Sequence, residues 1–346
     1  MKIIHSADIH LGAPMSSFPP KVAEERKREV RNTFLRMVEF ARQNDVKVIM
    51  LSGDVFDRDK PFKKDEEFFY GVVRKNPDID FLYLRGNHDQ EGEKETFDNL
   101  KTFSAAWQSY AYGDVVISGI ELAPANEGSY HTTLSLDSKK KNIVMLHGQV
   151  GGNIQITKLR DKNIDYLALG HIHQYGDGEV DERGRYAYSG CLEGRGFDET
   201  GVKGFVLLEV ENEVSYTFQP LSLRSIEHVA LDVSNLREGG EMARLARSKI
   251  AFKKENIYRI ELVGEVDADT DSFAEDVQRY LEGACAYISV KDKTVKKIDY
   301  TAYDGDNSLR GEFVRTVRES EEYTEEEKTQ IIAFGLKALA GREVDA

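Results

Sequence analysis

Through the first two thirds of the chain, short runs of β-branched and aliphatic residues alternate with longer stretches in which apolar positions recur every three or four residues. Lys2 to His5, Val46 to Ser52, Ile79 to Arg85, Ile143 to His147 and Ile164 to Gly170 are predicted to be buried strands. Helices are predicted between them. Pro20 to Asn44 places Val30, Phe34, Met37, Val38 and Ala41 on one face, and Phe62 to Lys75 does the same with Phe68, Phe69 and Val72. This alternation is that of a layered α/β domain. Three further strands follow, Tyr186 to Ser189, Gly204 to Val210 and Val214 to Gln219, the last two joined by an acidic turn at Glu211 to Glu213.

From about Ser225 the pattern restarts on a smaller scale. A strand (Glu227 to Val233), a helix (Gly240 to Ala251), a strand (Ile257 to Val263), a helix (Ser272 to Gly283) and a strand (Ala286 to Lys291) predict a small second α/β domain. Two helices close the sequence, Leu309 to Glu319 and Thr324 to Ala340, the second opened by Thr324 with Glu327 three residues on, a capping box. The expected division is 1–222, 223–302 and 303–346.

Composition narrows the class. Of 346 residues, 40% are hydrophobic, with 16 Tyr and 17 Phe, enough to build ordinary cores and to exclude wholesale disorder. No apolar run approaches the roughly 20 residues that cross a bilayer, and His5 and Asp8 interrupt any signal-peptide core, so a cytoplasmic protein without membrane contact is expected. Cys191 and Cys285 are too few for a disulfide framework or a thiolate metal site and are expected to be packing residues. The net charge of −14 argues against a broadly basic nucleic-acid face. A carboxylate-built site nonetheless attracts phosphate once divalent cations occupy it. The best local basic cluster for a phosphate contact is Lys291, Lys293, Lys296 and Lys297.

The chemistry is concentrated in five short segments, each where a predicted strand ends: Asp8-Ile9-His10, Gly53-Asp54-Val55-Phe56-Asp57, Gly86-Asn87-His88-Asp89, His147-Gly148 and Gly170-His171-Ile172-His173. In open α/β sheets, ligands bind at the carboxyl ends of strands. Five of the eight histidines lie in these segments; His5 reads as a packed strand residue, and His131 and His228 lie outside every motif. Imidazoles, carboxylates and an amide, with no thiolate, suit borderline or hard divalent ions such as manganese, iron or zinc. Seven such groups exceed what one ion takes and suit two ions sharing a bridging carboxylate. The glycines of these segments suit tight departures from the sheet.

This ordered set, D-x-H, G-D-x-x-D, G-N-H-D, H-G and G-H-x-H, resembles the calcineurin-like metallophosphoesterase superfamily over about the first 220 residues. The resemblance implies a four-layer α/β/β/α sandwich with a small α/β cap domain and a helical C-terminal tail. It implies Asp8, His10, Asp54 and His173 as ligands of one metal and Asp54, Asn87, His147 and His171 as ligands of the other, with Asp54 bridging. His88 would then act as general acid or transition-state stabiliser toward the leaving oxygen, Asp89 would orient it, Asp57 would brace a ligand, and metal-activated water would attack. The segments MKIIHSADIHLG, VIMLSGDVFDRDKP, YLALGHIHQY and YSGCLEGRGFDETGVKGFVLLEV further resemble the SbcD-like DNA repair exonuclease subunits, including the YhaO-type branch. That likeness implies a dimeric, manganese-dependent nuclease, with iron or zinc as alternative metals. It also implies an SMC-like ATPase partner related to SbcC, docked through the C-terminal helices. The alternatives are a phosphodiesterase or nucleotidase acting on a small phosphoester, and a regulatory scaffold for an ATPase.

Overall fold

Strands that are apolar at consecutive positions must bury both faces, and two stacked six-stranded sheets do this here. The structure, a computed structural model, describes residues 1–89, 96–266, 273–297 and 301–339. The chain divides into two compact units, Met1–Glu227 and His228–Ala346.

In the first unit the order is β1 (Lys2–Ser6), α1 (Pro20–Gln43), β2 (Val48–Ser52), α2 (Lys63–Arg74), β3 (Asp80–Leu84), β4 (Leu100–Thr102), β5 (Gln108–Tyr112), β6 (Val115–Gly119), α3 (Tyr130–Thr133), β7 (Lys141–His147), β8 (Tyr166–Gly170), β9 (Gly176–Glu179), β10 (Arg185–Tyr188), β11 (Gly204–Val210) and β12 (Val214–Pro220). One sheet runs β12-β11-β1-β2-β3-β4, the other β5-β6-β7-β8-β10-β9. Strands β1 to β4 are mutually parallel, as are β6, β7, β8 and β10, while β11, β12, β5 and β9 form antiparallel margins.

Period-two alternation decides what each face meets. Ile3, Met50 and Leu82 of the first sheet and Ile117, Ile143, Met145 and Ala168 of the second form one core between the sheets. The alternate residues Ile4, Ile49 and Phe81 are equally buried. On that face α1 sets Phe40 with its ring 5.1 Å from Phe205, and α2 sets Phe69 5.6 Å from Tyr83. The outer face of the second sheet packs Val144, Leu146, Leu167 and Leu169 against Tyr130, Ile154 and Leu159. The fourth layer of the sandwich is therefore the short α3 and its neighbouring loops.

The β5–β6 hairpin was not foreseen. Its two-residue Gly113-Asp114 turn, with Gly113 at φ +67°, is a hairpin signal set between a weakly apolar strand, β5, and an apolar one, β6.

The second unit takes in most of β13 (Ile226–Asp232), whose first two residues belong to the first unit, and contains α4 (Gly239–Lys249), β14 (Ile257–Val263), β15 (Glu265–Val266), α5 (Phe273–Tyr280), β16 (Tyr287–Asp292), β17 (Val295–Lys296), α6 (Thr301–Asp304), α7 (Leu309–Glu319) and α8 (Glu325–Leu339). A β13-β14-β16 sheet packs Leu231, Ile260 and Ile288 against Met242, Ala246, Val277 and Leu281. The expected helix ends Ser272 and Ala340 lie outside the described residues. The capping box forms as read: Thr324 N donates to Glu327 Oε2 at 2.8 Å, and Glu327 N donates to Thr324 Oγ1 at 3.3 Å. Helices α7 and α8 meet through Val314, Val317 and Ile332. Among the described residues, no helix is long and apolar enough to cross a membrane.

Candidate metal centre

Strands β1, β2 and β3 of one sheet and β7 and β8 of the other run at their carboxyl ends into the five motif segments. Past the sheet edge, the loops after β1 and β2 stay zipped together. Asp8 N donates to Gly53 O (3.0 Å), His10 N to Asp54 O (2.9 Å) and Leu11 N to Val55 O (2.8 Å). This ladder holds Asp8, His10 and Asp54 at φ 53°, 49° and 53°, and His171 sits at φ 100°. Non-glycine residues seldom occupy that region, which costs about 1–3 kcal/mol and is found at sites whose surroundings over-determine it. Gly53, at φ +97°, is required twice over, since a Cβ there would collide with the His147 ring.

The donor atoms fall into overlapping sets. Asp8, His10 and His173 form one and Asp8, Asp54 and His147 another, the atoms of each lying within 4.8 Å of one another. One oxygen, Asp54 Oδ2, is 3.7 Å from His10 Nε2 and 3.3 Å from His147 Nε2. Asn87 Oδ1 lies 3.0 Å from His147 Nε2 and 3.1 Å from His171 Nδ1. The seven residues expected as ligands are thus all brought together.

The tautomers test whether cations fit. His147 Nδ1 is 2.8 Å from Ser52 O, an atom that only accepts, so Nδ1 carries the hydrogen. His10 Nδ1 likewise donates to Asp57 Oδ1 at 3.1 Å. His173 Nδ1 has two neighbours, the Glu199 carboxylate at 2.6 Å and Arg195 Nη2 at 2.9 Å; the guanidinium's hydrogen is taken by Glu199 Oε1 at 2.8 Å, and the shorter contact assigns the Nδ1 hydrogen toward Glu199. The lone pairs of His10 and His173 are left on Nε2 atoms only 3.3 Å apart. His147 Nε2 likewise faces two acceptor oxygens. Such an arrangement needs a proton or a cation in its midst, and imidazoles fixed from behind by carboxylate or carbonyl are what divalent ions take as ligands.

The electrostatics agree. Burial works to lower His147, yet the hydrogen bond to Asp54 and the charges of Asp8 and Asp54 outweigh it and raise it to about 9; without a cation, a proton takes its place. Burial pushes the Asp8 carboxyl up to about 6 against the attraction of His147 and His173. Burial also pulls His10 down to about 4, opposed by its hydrogen bond to Asp57. Asp54 is held below the usual carboxylate range: burial would raise it, but the hydrogen bond and charge of His147 prevail. Burial lowers His171, helped by the charge of His147.

His88 is exposed at the rim, its ring 4.9 Å from that of His10 and its Nδ1 3.2 Å from Asp57 O. Its backbone N donates to Asp54 Oδ1 at 2.9 Å. Asp89, expected to orient the His88 ring, has other work: Oδ2 accepts from Val55 N (2.9 Å) and the Tyr83 hydroxyl (2.7 Å), and Oδ1 from Gly86 N (2.7 Å). It is buried and ties the loop after β3 to the loop after β2.

Sequence reasoning missed Glu199 and Arg195. Glu199 fixes His173, and Arg195 clamps Glu199 through Nη2 (2.8 Å) while donating to Asp57 Oδ1 through Nη1 (3.2 Å), so one guanidinium steadies the carboxylates behind two histidines. Both lie in a glycine-rich segment outside helix and strand, where their only signal was the length of the YSGCLEGRGFDETG match. Cys191 is buried, 3.4 Å from His173 O, and serves as packing.

Comparison with known proteins places this geometry. The chain is 27% identical over 265 residues to the uncharacterized metallophosphoesterase YhaO of Bacillus subtilis, covering 68% of this chain and 64% of that protein. It is 27% identical over 267 residues to the DNA double-strand break repair protein Mre11 of Sulfurisphaera tokodaii, covering 68% and 67%. The Mre11 of Sulfolobus acidocaldarius is 22% identical over 368 residues, covering 96% and 94%. The calcineurin-like phosphoesterase family matches residues 1–175, a stretch that holds every expected ligand from Asp8 to His173. On that match, over half its length, the chain belongs to the calcineurin-like phosphoesterase family.

Proposed function

We propose that the protein is a dinuclear-metal phosphodiesterase acting on DNA in repair, with Asp8, His10, Asp54 and His173 holding one cation and Asp54, Asn87, His147 and His171 the other. The observation that carries this reading is the single Asp54 oxygen facing both His10 and His147. Two divalent ions there, manganese by the family resemblance, would activate water and neutralise charge on the phosphoryl oxygens. The protein's own contribution is positional. Asp57, Glu199 and the Ser52 carbonyl lock three imidazoles, and His88, donating from Nδ1 to Asp57 O, leaves Nε2 free, so that its imidazolium form would protonate the leaving oxygen from Nε2. DNA as substrate is supported by relatives named for double-strand break repair.

In the same reading, residues 223–302 act as a DNA-placing cap and the protein works as a homodimer. Helices α7 and α8, with Leu309 and Phe334 exposed, dock an SMC-like ATPase. A second reading, hydrolysis of a small phosphodiester, is favoured by the cavity of about 240 Å³ lined by Asn87, His147, His171, Arg85 and Asn153 and by the acidic charge of the chain.

The test is hydrolysis of end-labelled duplex and single-stranded DNA with Mn²⁺, beside bis(p-nitrophenyl) phosphate. Asp54→Ala is expected to lose both metal and activity. His88→Ala is expected to keep metal and lose about 10²- to 10⁴-fold in turnover, the usual worth of a general acid. Full activity in His88→Ala would remove its assigned role, and hydrolysis of the small diester alone would favour the second reading.

A further inference from the structure

The loop joining Asp57 to α2 breaks two local rules at one residue. Phe62 occupies the N-cap of α2, a position that favours Ser, Thr, Asp or Asn, and offers no side-chain cap. The residue is also 47% exposed, whereas Phe34, Phe69, Phe81 and Phe205 of the same unit are fully buried. The backbone beneath it is fixed: Pro61 precedes it, and Phe62 O accepts from Asp65 N at 2.8 Å and Glu66 N at 3.2 Å.

The ring is also flanked by cations. Arg58 Cζ lies over the ring at 4.4 Å from its centroid and Lys64 Nζ at 5.6 Å. With exposed Lys60 and with Lys63, which pairs with Glu67 at 3.8 Å, residues 57–64 carry four cations against the two carboxylates Asp57 and Asp59, on a chain of net charge −14. The loop starts at Asp57, which braces His10 and contacts His88. The Phe62 ring also stands over the loop after β1, its Cδ2 3.6 Å from where a Cβ of Gly12 would lie. The ring is thus tied to both loops that carry Asp8, His10 and Asp54.

A rigidly mounted, exposed aromatic with a guanidinium laid over it matches an unpaired nucleobase: the ring and the planar Arg58 head group together offer a stacking surface, and the lysines take the flanking phosphates. We propose that Phe62, with Arg58 and Lys64, is a stacking platform for an unpaired base of a nucleic-acid strand whose neighbouring phosphodiester enters the metal centre. The inference rests on the nuclease reading and adds to it that the strand is held single-stranded at this loop. A folded duplex keeps its base faces stacked on each other and offers none to Phe62.

The experiment is fluorescence anisotropy of the full-length protein in EDTA with a labelled single-stranded oligonucleotide and with a blunt duplex of the same sequence. Phe62→Ala is expected to weaken single-strand binding about tenfold or more, within the range of one stacked base, and duplex binding by less. Phe62→Tyr is expected to restore it. Lys64→Ala is expected to make the salt dependence shallower by about one phosphate contact. Circular dichroism melting of each variant separates loss of the ring from loss of fold. Wild-type single-strand affinity in Phe62→Ala, a loss that Phe62→Tyr does not restore, or equal losses for single strand and duplex would each overturn the platform. Failure of the wild-type protein with Mn²⁺ to hydrolyse any phosphodiester would instead overturn the nuclease reading and leaves the anisotropy result to be judged on its own terms.

Discussion

Glu199→Gln removes one charge behind the centre while keeping the shape of the side chain. The carboxylate is 8% exposed and accepts from His173 Nδ1 (2.6 Å), Arg195 N (2.7 Å), Arg195 Nη2 (2.8 Å) and Arg195 Nε (3.1 Å). Those contacts hold it well below the usual range against the opposing effect of burial, so it is fully ionised at neutral pH. A hydrogen bond to an ionised group is worth about 1.5–3 kcal/mol, against about 0.5–1.5 kcal/mol for a neutral one. Trading carboxylate for amide therefore takes about 1–2 kcal/mol from the orientation and basicity of His173. In cation affinity this is about tenfold, at the lower end of what outer partners of metal-ligating histidines contribute. Calorimetric titration of metal-free protein with Mn²⁺ measures it, and only the binding event that includes His173 is expected to weaken. Because Arg195 also braces Asp57, Glu199→Gln and Asp57→Asn are expected to combine less than additively. Unchanged affinity in Glu199→Gln, or equal weakening of both binding events, would refute the argument that Glu199 acts through His173.

The acid–base state of the centre gives a pH prediction with a definite sign. His147 is raised in the folded, metal-free protein from 6.5 to about 9, so its contribution to stability is fully present below about pH 6.5 and is lost as pH rises through about 9. A cation displaces the same proton, so its affinity is expected to climb by up to about tenfold per pH unit across that window; Mn²⁺ titrations at three pH values between 6.5 and 9 that gave one flat affinity would contradict it. A structural prediction concerns Arg26, 1% exposed and bonded to Glu29, to Glu193 at 2.9 Å and to Gly194 O at 2.8 Å. Arg26→Ala leaves Glu193 buried without its cation and is expected to cost about 3–5 kcal/mol in urea unfolding, where a loss below about 1 kcal/mol would show the network to be dispensable.

The local pattern carried far into this protein. Helix α1 follows from the spacing of Val30, Phe34, Met37, Val38 and Ala41, all buried as expected, and β11 and β14 begin and end where their apolar runs do. These succeed because a 3.6- or two-residue period is written in consecutive side chains and needs no distant partner. The five motif segments were legible for a related reason: each sits at the end of its own strand, so its position along the chain already fixes its position at the sheet edge.

What the sequence left open depends on contacts between residues far apart in it. Strand β5, Gln108 to Tyr112, carries little apolar signal and is defined by its pairing with β6, whose Val115, Val116 and Ile117 are themselves apolar. Glu199 meets His173 across 26 positions, and Arg195 meets Asp57 across 138, pairings that no local period encodes. Asp89 carries the same type of carboxylate as Asp57, yet one is spent on backbone amides and a tyrosine hydroxyl and the other on a candidate ligand. Composition and spacing determined which residues have the chemistry for a metal centre. Only the packing of the two sheets decided which of them face one another, because hydrogen bonds select their partners by distance in space and not along the chain.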